Sequence, residues 1–204
     1  MAQGSLFGRP WAWALLAALV LAIPLSQLMM RPPPLPDYGP MPAFSLTDQA
    51  DRALSAAELR GAVVVVDFIF TSCPDVCPAL SHAMNQVQAR TAGTRTPIRL
   101  LSVSVDPERD TPAVLAEYAT RFGADPARWR FLTGPPEQVH AALAAMGQLA
   151  EKVPSGPGKP EGYSVAHGSS FLLYDAQGAL RGIYGSDGEE IDRLISDARG
   201  LATP

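Results

Sequence analysis

Apolar positions along this chain switch between an unbroken strand-like pattern and a helical period of 3.6, and the switches fall in a regular order. Val63 to Phe70 is a nearly continuous β-branched and aromatic run, which predicts a strand covered on both faces. Ile98 to Val105 repeats that character and Trp129 to Thr133 is a shorter version. Between them, Pro78 to about Arg90 reads as a helix. A second helix begins at the Thr111-Pro112 cap, shows Val114, Leu115, Tyr118, Ala119 and Phe122 on one face, and stops at Gly123. Pro135 or Pro136 starts a third, to about Leu149, and Ile191, Leu194, Ile195 and Ala198 mark a last one closing at Gly200. Tyr163 to His167, Ser170 to Tyr174 and Leu180 to Tyr184, with a turn at Gln177-Gly178, read together as a hairpin. Upstream, Phe44 to Leu46 and Ala53 to Leu54 flank a turn over residues 48–51, and Ser55 with Glu58 makes a capping box. From Glu151 to Gly162 all periodicity breaks, which predicts a surface loop.

Strands alternating with helices, then an antiparallel pair and a terminal helix, imply an α/β sheet with helices on both faces. Both cysteines of the chain, Cys73 and Cys77, fall at the first strand-to-helix turn, which makes the arrangement thioredoxin-like with an N-terminal hairpin extension. There are no internal repeats.

The N-terminus adds a different kind of segment. Trp11 to Met30 carries no charge and is bracketed by Arg9 and Arg31, the length and composition of one transmembrane helix. A cleaved signal peptide is the competing reading; the absence of a convincing small-residue cleavage site between Ser26 and Arg31 favours the anchor. Residues 31–42, RPPPLPDYGPMP, hold six prolines and predict an extended spacer. The organisation is then a short tail (1–10), an anchor (11–30), a linker (31–42) and a folded domain (43–204). Arg9 and Arg31 are the only charges before Pro32, so the remainder carries 14 basic and 20 acidic residues. A mildly acidic domain without a basic cluster excludes nucleic-acid binding as its business.

The cysteine pair can exchange disulfides or bind a soft metal. Pro78 places Cys77 at a helix cap and Cys73 in the loop before it, so both sulfurs face the positive helix end, which should favour accessible thiolates. The spacing is CxxxC where thioredoxin-class pairs are CxxC, and Asp75 between them favours a bound cation over a bare thiolate. The loop that carries a cis-proline in thioredoxin-like oxidoreductases reads SVAHGSS here and offers His167, at the same end of the sheet as the cysteines. Two thiolates and an imidazole suit copper; zinc is the plainer metal for Cys and His, but structural zinc wants four protein ligands. His82 and His140 fall within helical patterns, Met84 and Met146 at core spacing, and Tyr163 and Trp129 read as packing residues.

Four ordered motifs, TSCPDVCP, SVDPERDTPAVLAEYATRFG, WRFLTG and YSVAHGSSFLLYD, resemble the Sco/SenC family of membrane-anchored, thioredoxin-like copper proteins over about Phe44 to Gly200. The resemblance implies copper ligation, as Cu(I) or Cu(II), by Cys73, Cys77 and His167, and a supporting role for Asp106 at the edge of the site. It implies a metallochaperone that takes copper from a donor protein and delivers it to the cytochrome c oxidase subunit carrying the CuA site. The alternative is a thiol–disulfide reductase that keeps that subunit's cysteines reduced; a peroxidase of related fold fits less well, because no arginine lies close to a peroxidatic cysteine. Ala166 stands where the family commonly has an acidic residue. No Arg- and Ser-rich transit peptide precedes the apolar segment, so the expected location is a bacterial inner membrane with the domain in the periplasm.

Overall fold

The computed structural model describes residues 11, 13, 18, 20, 34–73, 76–154 and 163–203. The chain divides into two units, Met1–Leu35 and Pro36–Pro204. Of the first, Trp11, Trp13, Ala18 and Val20 are helical and exposed. The expected membrane span lies mostly outside the described residues, and among those residues no helix is long and apolar enough to cross a membrane.

In the second unit, β1 (Ser45–Asp48) and β2 (Ala53–Ser55) form the expected hairpin, followed by a 3-10 turn at Ala56–Leu59. Then come β3 (Val63–Ile69), α1 (Val76–Arg90), β4 (Ile98–Ser104), α2 (Pro112–Arg121), β5 (Trp129–Thr133) and α3 (Pro136–Ala145). β6 (Glu151–Pro154), β7 (Tyr163–Ala166), β8 (Phe171–Tyr174), β9 (Leu180–Tyr184) and α4 (Gly188–Ala202) complete it. One seven-stranded sheet has the order β2-β1-β5-β4-β3-β8-β9. β3, β4 and β5 are parallel, and β8 and β9 continue the sheet antiparallel from β3. The hairpin extends the other edge by pairing β1 with β5.

Side chains of a strand alternate between faces, yet all seven residues of β3 are buried. Both faces of the sheet are therefore covered at its centre. Cap chemistry sets α2 as the sequence predicts: Thr111 Oγ1 accepts from the Val114 N–H, Pro112 takes the first helical position, and Gly123 turns the chain away at φ 65°.

Three expectations are corrected. Glu151–Pro154 is a strand, not a loop; it pairs with β7 in a separate two-stranded ribbon, so Tyr163–Ala166 does not join the β8–β9 hairpin. α3 ends at Ala145 rather than near Leu149. α1 begins at Val76, which puts Cys77 inside its first turn; Pro78 is tolerated there because first-turn N–H groups have no intrahelical acceptor.

Candidate metal centre

The chain leaves β3 through a tight turn in which the Cys73 N–H donates to the Phe70 carbonyl at 3.2 Å. This delivers Cys73 to a half-buried position at the carboxyl end of the central strand, while α1 carries Cys77 beneath it with no exposed surface. His167 follows β7 directly and is half-buried. Its Nε2 lies 3.7 Å from Cys77 Sγ. Residues 90 positions apart thus meet at one end of the sheet, as the loop order predicted.

The imidazole is oriented by its own surroundings. Nδ1 lies 2.8 Å from the Gly168 carbonyl, which can only accept, so Nδ1 bears the proton and Nε2 presents a lone pair to the sulfur. The Phe70 ring meets the imidazole edge-on, with centroids 5.7 Å apart. Fixing the far ring nitrogen this way is how protein sites prepare a histidine as a metal ligand.

The cysteines depart from the expected pair of accessible thiolates. Cys77 is held as a neutral thiol, its pKa raised first by hydrogen bonding to Cys73, then by burial, with the charges of Cys73 and Asp67 adding to the effect. A hydrogen bond from the Phe70 backbone to the sulfur opposes this without overcoming it. The favourable helix end is outweighed because two adjacent sulfurs in a dry site cannot both carry charge. Asp75, expected to add a negative charge between them, lies outside the described residues.

Behind the sulfurs, Asp67 is fully buried in β3. Its Oδ1 accepts from Ser102 Oγ at 2.5 Å, and Ser102 Oγ accepts in turn from the Trp129 indole N–H at 2.9 Å. Among the described residues Oδ2 has no hydrogen-bond partner. Burial, only partly offset by the Ser102 bond, pushes its pKa up to about 7. Asp106 is buried with its backbone N–H on Ser104 Oγ at 3.0 Å and its carboxylate 3.6 Å from Arg109, which ties its own loop together. Sequence reading missed Asp67 and Asp110, since an aspartate carries no periodic signal of what it touches. His82 is exposed against Phe122, and Met84 and Trp129 are core, as expected.

The donor set fits a soft or borderline cation. A thiolate and an imidazole bound to one ion at about 2.3 and 2.05 Å, the lengths known for zinc, stand roughly 3.6–3.8 Å apart at tetrahedral to trigonal angles. Cys77 and His167 hold that spacing. Among the described residues no three Cys, His, Asp or Glu side chains are grouped as a complete ligand set.

A family model described as SCO1/SenC matches residues 37–203. The chain belongs to the SCO1/SenC family. The SCO1 protein homolog of Bacillus subtilis (strain 168) is 32% identical over 164 residues, covering 78% of this chain and 81% of that protein. Bradyrhizobium japonicum ScoI, solved with copper bound, aligns with a TM-score of 0.68 at 27% identity, over 80% of this chain and 99% of that one. BsSco, a member of the Sco family of cytochrome c oxidase assembly proteins in which a disulfide switch was identified, aligns with a TM-score of 0.67 at 27% identity, over 83% and 96%. The SCO1/SenC match spans the whole sheet and both arms of the site, so the thioredoxin-like fold expected from the cysteine placement stands.

Proposed function

We propose that this SCO1/SenC protein is a copper metallochaperone. It binds one copper ion through Cys73, Cys77 and His167 and passes it to the CuA site of cytochrome c oxidase during assembly. The observation that carries this reading is the Nε2 lone pair of His167 aimed at Cys77 Sγ from 3.7 Å. Copper-bound ScoI and the oxidase-assembly role of BsSco support the choice of cargo and recipient. The apolar segment over 11–30 would anchor the chain in a bacterial inner membrane, with the domain on the periplasmic side.

Loading exchanges protons for metal. Cys77 is a neutral thiol in the apo site, and an arriving cation supplies the charge that lets both sulfurs ionise together. Cys73, half-buried on its loop, closes the third position and is the side from which an acceptor thiolate can attack. Three ligands leave an open coordination position, which release by ligand exchange requires.

A thiol–disulfide reductase is the second reading, favoured by the Cys73–Cys77 hydrogen bond. In that reaction an acceptor disulfide is reduced to two thiols while Cys73 and Cys77 become a disulfide, so electrons and protons balance between the two pairs. His167→Ala separates the readings. Copper affinity, measured by competition with a chelator, is expected to fall roughly a hundredfold or more, since even outer contacts to a metal site cost 10–100-fold, while disulfide exchange persists. Unchanged copper affinity would remove His167 from the site; normal oxidase assembly by a copper-deficient variant would favour the reductase.

A further inference from the structure

The turn Phe70–Cys73 touches every member of the proposed site. Cys73 ends it, the Phe70 N–H bonds Cys77 Sγ, and the Phe70 ring packs on His167. What holds this turn is a carboxylate from elsewhere in the chain. Asp110 has no exposed surface, and its two oxygens share the Thr71 N–H at 3.2 Å each. Oδ1 also accepts from Thr71 Oγ1 at 2.6 Å, and Oδ2 from Ser104 Oγ at 2.6 Å. Asp110 itself is fixed by its N–H, which donates to the Asp106 carbonyl at 2.9 Å, immediately before the Thr111 cap of α2. One buried carboxylate therefore joins the end of β3, the end of β4 and the start of α2, and it grips the corner of the turn two residues before Cys73.

The geometry points to Asp110 as the positioning residue of the cysteine–histidine site: it fixes the Phe70–Cys73 turn so that Cys73 is presented to Cys77 and Cys77 stays covered. This deepens the copper-binding reading and rests on it for the metal. An aspartate suits the task because a carboxylate accepts all three donors at once, whereas an amide offers one acceptor oxygen and turns two N–H groups toward groups that also donate. Outer contacts of this kind orient the ligands of a metal site, and losing one costs 10–100-fold in affinity.

The test compares the parent with Asp110→Asn, Thr71→Val and the double variant, all as the full chain in detergent. In the reduced, metal-free protein, iodoacetamide labelling of Cys77 relative to Cys73 is followed by mass spectrometry. In parallel, Cu(II) is titrated against a chelator and the sulfur-to-copper charge-transfer band recorded. Asp110→Asn is expected to raise Cys77 labelling several-fold, lower copper affinity roughly ten- to a hundredfold and shift the band. Thr71→Val keeps the backbone contact and should show a smaller change in each readout. The double variant should add little to Asp110→Asn alone, because both changes act through one contact. Parent-like labelling, affinity and band in both single variants, whatever their melting temperatures, would overturn the inference, as would fully additive losses. If Asp110→Asn does not fold, the near-isosteric Thr71→Val decides by the same readouts. If the parent itself binds no copper, the metallochaperone reading fails while the labelling ratio still decides the role of Asp110.

Discussion

Cys77→Ser is expected to remove copper binding beyond the hundredfold loss set for His167→Ala, with the domain still folded. Serine keeps the size and one acceptor for the Phe70 N–H, but its hydroxyl does not ionise near neutrality and offers a hard oxygen where copper prefers sulfur. The side chain is fully buried, so exchanging a thiol for a hydroxyl costs about 1 kcal/mol, small beside the 5–15 kcal/mol that holds a domain of this size. Competition titration paired with a melting curve checks both halves. Cys73→Ser should match it in affinity with a smaller effect on stability, because Cys73 is half-buried on a loop. If either serine variant retained parent affinity, two-thiolate coordination would be wrong.

Asp67→Asn is expected to stabilise the protein at neutral and alkaline pH and to leave it little changed in acid. Asp67 titrates near 7 in the folded domain against 3.8 in an unfolded chain. The unfolded state thus releases its proton first, and the stability present below about pH 4 is lost as pH rises through 7. A shift of that size corresponds to at most about 4 kcal/mol. An amide retains a carbonyl oxygen for Ser102 and removes the ionisable group. Urea midpoints at intervals from pH 4 to 9 should therefore diverge across that window, the variant becoming the more stable; parallel profiles would show that Asp67 does not titrate as the fold implies. The same change removes a charge that disfavours the Cys77 thiolate, so Cys77 alkylation in the variant should begin at lower pH.

Much of this molecule is written in local signals. The β3 and β5 runs and the Thr111-Pro112 cap state their structure within a few residues, and their boundaries agree with the sequence pattern to within a residue. His167 was legible for a topological reason: β8 runs antiparallel to β3, so the loop that precedes β8 lies at the carboxyl end of β3, where the cysteine turn begins. The β6–β7 ribbon was not legible. Glu151–Pro154 has no alternation of its own and becomes a strand only by pairing with Tyr163–Ala166. The state of Cys77 was hidden for a similar reason, since a helix start can be read from Pro78 but the hydrogen bond to Cys73 and the burial that together reverse its electrostatic effect depend on the tertiary structure around it. Asp106 and Asp110 stand in one motif, DPERD, and only the folded chain brings Asp110 to Thr71 across the end of the sheet.

X-ray absorption of the full chain loaded with one equivalent of copper reads the coordination shell directly. Two sulfur scatterers and one imidazole nitrogen are expected, with the nitrogen lost in His167→Ala and one sulfur lost in each serine variant. A shell of nitrogen and oxygen alone, unchanged by all three substitutions, would contradict copper binding at the meeting point of the Phe70–Cys73 turn, α1 and His167.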